Sequence, residues 1–275
     1  MTTFKNQPFE KLYEKHAPTG TTNNPLAFLC VPGIGETRHS YRCLAPLLAA
    51  AGHTIYTADL RGSGDSSVNF TSYTVEDITA DMVMLLESLN ESKFVVIGNS
   101  FTAACIILLQ QSNVARKIQS TVILGPFVRD PPGVGPKIFA KIAPLMFPRL
   151  YGAAMWTMYW KTLFEVLPSD FEQYKQYLKA TMNEPGRLRA LVKMIQASKA
   201  NAGNALRSYN LPLFIGMGTN DPDFSSPVDE ANDIYNSVQS STKRIVMYNA
   251  TKHYPQIDSS QQLAQDILSF IQESA

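Results

Sequence analysis

Continuous apolar runs alternating with helix-patterned segments constrain this chain more than any other feature. "LAFLCV" (26–31) is a continuous apolar run, and "FVVIG" (94–98) and "STVILG" (120–125) are strand-like segments rich in apolar residues. Such runs fit strands buried on both sides, as in parallel sheets. Between them lie segments with helical spacing: "YRCLAPLLAAAG" (41–52), ending at Gly52, then "TVEDITADMVMLLESL" (74–89), with acidic residues in its first turns, and "TAACIILLQQ" (102–111). "TIYTAD" (54–59) adds a strand. Strand and helix in turn predict an α/β fold, a mostly parallel central sheet with helices on both faces.

The pattern breaks at "GPFVRDPPGVGP" (125–136), dense in Pro and Gly. Only helix-like segments follow until about residue 208. Ser169-x-x-Glu172 reads as a capping box, and Pro185 as a first-turn proline. Strands resume at "PLFIGMG" (212–218) and "RIVMY" (244–248), with helices near 227–237 and 260–273. The expected organisation is a core of residues 1–127 and 209–275 and a helical cap, residues 128–208, inserted after the sixth strand.

Composition narrows the classes. With 45% apolar and 17% charged residues, the 275-residue chain reads as globular, and its net charge of +1 gives no electrostatic footprint for nucleic acid. The N-terminal stretch lacks a signal-peptide core, and no apolar run is of membrane-spanning length. Cys30, Cys43 and Cys105 form no CxxC pair and read as reduced thiols. The expected location is cytoplasmic, with no membrane or nucleic-acid partner. Paired His or Cys ligands and a phosphate-binding lysine loop are missing, and Gly62-x-Gly64 lacks the third glycine of a dinucleotide site, so no metal or cofactor is expected.

"VIGNSFTAA" (96–104) raises the chemical question. A strand runs into Gly98, then Ser100, then a helix. A nucleophile elbow, G-x-S-x-G, has this context, with small residues two places either side of a strained serine. Here Thr102 replaces the second glycine. The base and acid of such a site follow in the order Ser, Asp or Glu, His. In "FIGMGTNDPDF", Asp221 follows a late strand and is the first choice of acid; Asp223 is the second, with a turn-holding role as its alternative, and Asp229 suits a helix N-terminus. His253 lies between the last strand and the final helix. His16 sits in a polar stretch, His53 precedes a strand, and His39, near the glycine loop, precedes the serine. An oxyanion hole needs backbone N–H donors. Phe101, next to the serine, is one candidate, and Ile34 in "VPGIGE" (31–36) the other.

With these elements in order the chain resembles the α/β-hydrolases of the capped, single-domain kind. Pro32-Gly33 stands where His-Gly is usual, "DLRGSGDSS" (59–67) matches D-x-R-G-x-G-x-S, and "GTNDPDF" (218–224) matches the acid loop. The resemblance covers about residues 26–127 and 209–275; Thr102 and Pro32 depart from it. It implies an α/β-hydrolase fold and a cofactor-free serine hydrolase of the carboxylesterase kind. Ser100, His253 and Asp221 would be its triad, and the Ile34 and Phe101 amides its oxyanion hole. The cap would shape a pocket for a small hydrophobic ester, lactone or thioester. Trp156, Trp160, Met155 and Tyr254 are the candidate pocket residues. The same fold also supports C–C bond hydrolysis, perhydrolysis, lyase chemistry or non-enzymatic ligand reception.

Overall fold

The computed structural model describes residues 12–274. Its centre is a seven-stranded sheet in the order β1-β3-β2-β4-β5-β6-β7, made of β1 (Tyr13–His16), β2 (Ala27–Val31), β3 (Thr54–Ala58), β4 (Phe94–Asn99), β5 (Ile118–Leu124), β6 (Leu213–Gly218) and β7 (Lys243–Tyr248). β1 pairs with β3 antiparallel; every other pairing is parallel. Tyr13–His16, in the polar stretch that holds His16, forms an edge strand whose partner is β3.

The apolar runs are explained by burial on both faces. Along β2, Ala27, Leu29 and Val31 join one apolar cluster, while Phe28 and Cys30 join the other. Helices α2 (Val75–Ser88), α3 (Thr102–Leu109) and α9 (Pro227–Ser237) pack on the first face, and α1 (Leu44–Ala50) and α11 (Ser260–Glu273) on the second. Local signals set the helix ends. Thr74 and Asp77 form a reciprocal capping box at α2, and Ser226 caps α9, with Asp229 in its first turn.

Between β5 and β6 the chain runs through α4 (Gly135–Met146), α5 (Gly152–Lys161), α6 (Phe171–Met182), α7 (Arg187–Gln196) and α8 (Ala200–Ala205). This insertion follows the fifth strand of the described residues, where the sequence reading counted six. Two of its helix starts also differ from expectation. α6 begins at Phe171 with Asp170 as N-cap and no side-chain cap, so Ser169 and Glu172 form no box. α7 begins after Gly186, whose φ of 90° turns the chain, leaving Pro185 outside the helix. A short helix, α10 (Pro255–Asp258), precedes α11.

Strand order reverses between β2 and β4: the chain goes outward from β2 to β3, then returns to β4 on the other side. In open α/β sheets the crevice beyond the strand C-termini at such a point is where ligands bind. The loops after β2, β4, β6 and β7 carry Ile34, Ser100, Asp221 and His253 to that same end.

Candidate active site

Ser100 occupies the turn between β4 and α3 with a φ of 59°, one of two non-glycine residues described with positive φ. A side chain in this left-handed region is strained, and such strain gathers at functional sites. The turn is held from several sides. Ser100 N–H donates to Leu124 O at 2.8 Å, and Ser100 O accepts from Phe127 N–H at 3.1 Å and Ala103 N–H at 3.1 Å.

Thr102 fits without a second glycine for a visible reason. Its hydroxyl lies 2.9 Å from Asn99 O and 3.1 Å from Val31 O, tying the end of β4 to β2. Gly98 makes the room, because a Cβ there would come within 2.9 Å of the Thr102 Oγ1. The departure from the glycine pattern is thus a polar tie beneath the turn, fully buried.

The loop after β2 passes directly over the serine. A Cβ on Gly33 would sit 2.9 Å from the Ser100 Cβ, so only glycine allows this approach. Among the described residues, neither the Ile34 N–H nor the Phe101 N–H donates to a protein acceptor. Both residues line one cavity with Ser100.

His253 and Asp221 meet in the loops after β7 and β6. His253 Nδ1 lies 2.8 Å from Asp221 Oδ2, and each residue is about 2% exposed. Gly218 lets the two loops touch, since a Cβ there would strike Lys252 O at 2.1 Å. Gly125 does the same beside the pair, where a Cβ would lie 3.1 Å from His253 Nδ1. Asn99, next to Ser100, donates from Nδ2 to His253 O at 3.1 Å and to Leu124 O at 3.0 Å. The serine turn and the histidine loop are therefore joined by one buried amide.

Asp223, the second choice of acid, is part of the same cluster. Its Oδ2 is 3.6 Å from His253 Nδ1, and its Oδ1 accepts from the Tyr159 hydroxyl of α5 at 2.5 Å. Burial works against a charged imidazole, but the Asp221 and Asp223 carboxylates outweigh it and raise His253 to about 9. Burial also pushes Asp223 itself up. The ligand atoms of Asp221, Asp223 and His253 lie within 4.8 Å of one another, close enough for a cation, yet Asp221 and His253 already engage each other.

The cavity has a volume of about 360 Å³. Its lining includes Phe127, Trp156, Tyr159, Asp223 and Lys199. Of the four expected pocket residues, only Trp156 lines it. Trp160 is fully buried against Phe164 and Phe171, Met155 packs on the same apolar cluster, and Tyr254 is buried beside Phe164. These three pack within the insertion and at its seam with the core, and they lie outside the lining of this cavity. The other histidines are structural or peripheral. His53 Nδ1 accepts from Leu26 N–H at 3.2 Å, His16 is 3.4 Å from the Thr57 hydroxyl, and His39 packs edge-on against Tyr177.

Glu36 was not singled out from the sequence. It is 1% exposed and accepts from the Trp160 indole N–H and, at 2.5 Å, from the Tyr174 hydroxyl. Burial raises its pKa, against the hydrogen bonds and the Arg42 charge. With Trp156 Nε1 donating to Gly35 O at 3.0 Å, it fastens the insertion to the glycine loop. The "DLRGSGDSS" loop is also scaffolding. The Asp59 carboxylate accepts from Arg38 N–H at 2.7 Å and Asp65 N–H at 3.1 Å, and it pairs with the Arg38 guanidinium. Gly64 is required because a Cβ there would meet Asp59 at 2.2 Å. All three cysteines are free.

The sheet order, the serine turn and the loop positions are those of the α/β-hydrolase superfamily. More narrowly, residues 23–260 match the family described as serine aminopeptidase, S33, and the chain belongs to that family. A bifunctional epoxide hydrolase 2 from Sus scrofa is 29% identical over 131 residues, which is 47% of this chain. The chain spans only 23% of that relative's length. Among solved structures, an esterase from Thermogutta terrifontis superposes with a TM-score of 0.78 at 18% identity, over 95% of this chain and 93% of that one. A bromoperoxidase from Bacillus anthracis gives 0.77 at 18% identity, over 94% of each chain. At these identities the structural matches speak for the fold. No helix among the described residues is long and apolar enough to cross a membrane.

Proposed function

We propose that this chain is a serine hydrolase acting on a carboxylic ester, lactone or thioester with a hydrophobic moiety. The observation that carries the reading is the left-handed Ser100 turn under the Gly33 loop, with a buried His253–Asp221 pair tied to it through Asn99. In this reading residues 128–208 form a cap that bounds the acyl or alcohol pocket through Trp156.

The chemistry follows from the placement. Asp221 holds the imidazole by Nδ1, leaving Nε2 to take the Ser100 proton as Oγ adds to the carbonyl carbon. The new oxyanion accepts from the Ile34 and Phe101 N–H groups, both without a protein acceptor. The carbon–oxygen or carbon–sulfur bond then breaks, and the leaving group takes the proton from His253. Water adds to the acyl-enzyme, returns a proton through His253, and the acid departs. Asp223 and Asp221 both stabilise the imidazolium formed on the way.

Turnover of a 4-nitrophenyl ester series by wild type and Ser100→Ala tests the reading. Hydrolysis with a burst of one 4-nitrophenol per chain, lost in Ser100→Ala, is expected. Intact Ser100→Ala turnover would refute it. C–C hydrolysis, perhydrolysis or lyase products with ester turnover lacking would instead favour another reaction on the same fold.

A further inference from the structure

Lys199 stands between α7 and α8 at the wall of the catalytic cavity, and it is only 9% exposed. A lysine ammonium has three N–H donors and is strongly hydrated in water. Among the described residues the only hydrogen-bond acceptor near Nζ is Ala197 O at 3.4 Å, at the outer edge of hydrogen-bond range. Among the described residues no carboxylate oxygen lies within 4.0 Å of it. The Asp130 charge acts on the ammonium, but its carboxylate is turned to other donors. Oδ1 accepts from the Lys199 main-chain N–H at 2.7 Å, and Oδ2 from the Ser198 hydroxyl at 2.6 Å.

The ammonium is instead laid over the ring of Phe101, 5.1 Å from its centroid. Phe101 is the residue after Ser100 and lines the same cavity. A cation–π contact offsets part of the desolvation cost but leaves N–H donors without acceptors. Burial lowers the lysine pKa, with the Asp130 charge acting against that. An under-paired buried cation within a ligand cavity is the counterpart of an anion on the ligand.

We propose that Lys199 binds a carboxylate carried by the substrate, so that the preferred substrate is a monoester of a short dicarboxylic acid. A carboxylate suits the site because one buried ammonium, a point charge, stands at its wall; the other lining lysine, Lys137, is exposed to solvent, and a phosphate calls for more buried donors. This inference rests on the serine-hydrolase reading of the same cavity. It makes Lys199 a specificity-determining residue.

The test compares 4-nitrophenyl hydrogen glutarate with 4-nitrophenyl pentanoate, equal in acyl length and different in charge. Wild type is expected to favour the anionic ester by about tenfold or more in kcat/KM, mainly through KM, as fits a charge-assisted hydrogen bond. Lys199→Met keeps the aliphatic stem over Phe101 and is expected to bring the ratio to about one; Lys199→Arg keeps a preference. A ratio near one in wild type, or an equal ratio in wild type and Lys199→Met, overturns the proposal. Calorimetry with monomethyl glutarate separates the two levels. If neither ester turns over but wild type binds monomethyl glutarate and Lys199→Met does not, the anion site stands and the hydrolase reading falls. If wild type hydrolyses the pentanoate ester but does not bind monomethyl glutarate, the hydrolase reading stands and the anion site falls. If wild type neither hydrolyses nor binds, both fall.

Discussion

Replacing Thr102 by glycine would restore the G-x-S-x-G pattern, and the structure says that this weakens the protein. The threonine hydroxyl is fully buried and ties Asn99 O to Val31 O. Losing that hydrogen bond costs roughly 0.5–1.5 kcal/mol. Removing two buried carbons costs about 1.5 kcal/mol more, and glycine at the start of α3 adds up to about 0.5–1 kcal/mol. The sum is about 2–4 kcal/mol. For a chain of this size each kcal/mol moves the melting temperature by roughly 2–4 °C, so a fall of about 4–16 °C is expected. Urea unfolding of wild type, Thr102→Gly and Thr102→Val gives the comparison, with the valine losing about 1 kcal/mol for the hydroxyl alone. The side chain lies beneath the turn and outside the cavity lining, so labelling of Ser100 in Thr102→Gly is expected to stay within about threefold of wild type. A Thr102→Gly protein as stable as wild type, or more so, would refute the reasoning. Thr102 would then be a tolerated substitute and not a tie.

Two further outcomes follow from the cluster around His253. Burial works against the charged imidazole, but the carboxylates of Asp221 and Asp223, and more distantly Glu36, favour it, so the basic form that the proposed mechanism uses becomes the major one only toward pH 9. The acid limb of kcat/KM is expected above the ordinary histidine value of about 6.5. Asp223→Asn removes one of those negative charges, lowers the histidine pKa and moves the limb to lower pH; a limb that does not move would contradict the role given to Asp223. Glu36→Ala leaves the Trp160 indole N–H without its buried acceptor and the Tyr174 hydroxyl with only the Thr37 hydroxyl as partner. That is expected to cost about 2–4 kcal/mol in urea unfolding, and a loss below about 0.5 kcal/mol would show that the insertion is fastened elsewhere.

The sheet was legible because two-sided burial writes itself into sequence as unbroken apolar runs, as along Ala27–Val31 and along residues 94–97 in β4. β1 was not, because Tyr13–His16 is a half-exposed edge strand of four residues whose pairing with β3 carries no such mark. The box expected at Ser169 and Glu172 matched a local pattern, but α6 starts two residues after Ser169. At the site, chain order and strand ends pointed to Ser100, Asp221 and His253, which follow β4, β6 and β7 at the C-terminal end of the sheet. Glu36, Tyr159 and Lys199 left no such signal. Their contacts come from partners far along the chain: Trp160 for Glu36, Asp223 for Tyr159 and Phe101 for Lys199. Of the two tryptophans on α5, Trp156 faces the glycine loop and the cavity, while Trp160 turns into the insertion's apolar cluster. Spacing alone puts both on one helix face and cannot separate them.

The central claim is that Ser100 is an activated nucleophile. The direct measurement is intact-mass analysis after treatment with a fluorophosphonate, for wild type beside Ser100→Ala and His253→Ala, with peptide mapping of the adduct. One adduct per wild-type chain, mapped to Ser100, lost in Ser100→Ala and strongly slowed in His253→Ala, is the expected result. A folded wild type that stays unlabelled, or an adduct mapped to another residue, would contradict the claim.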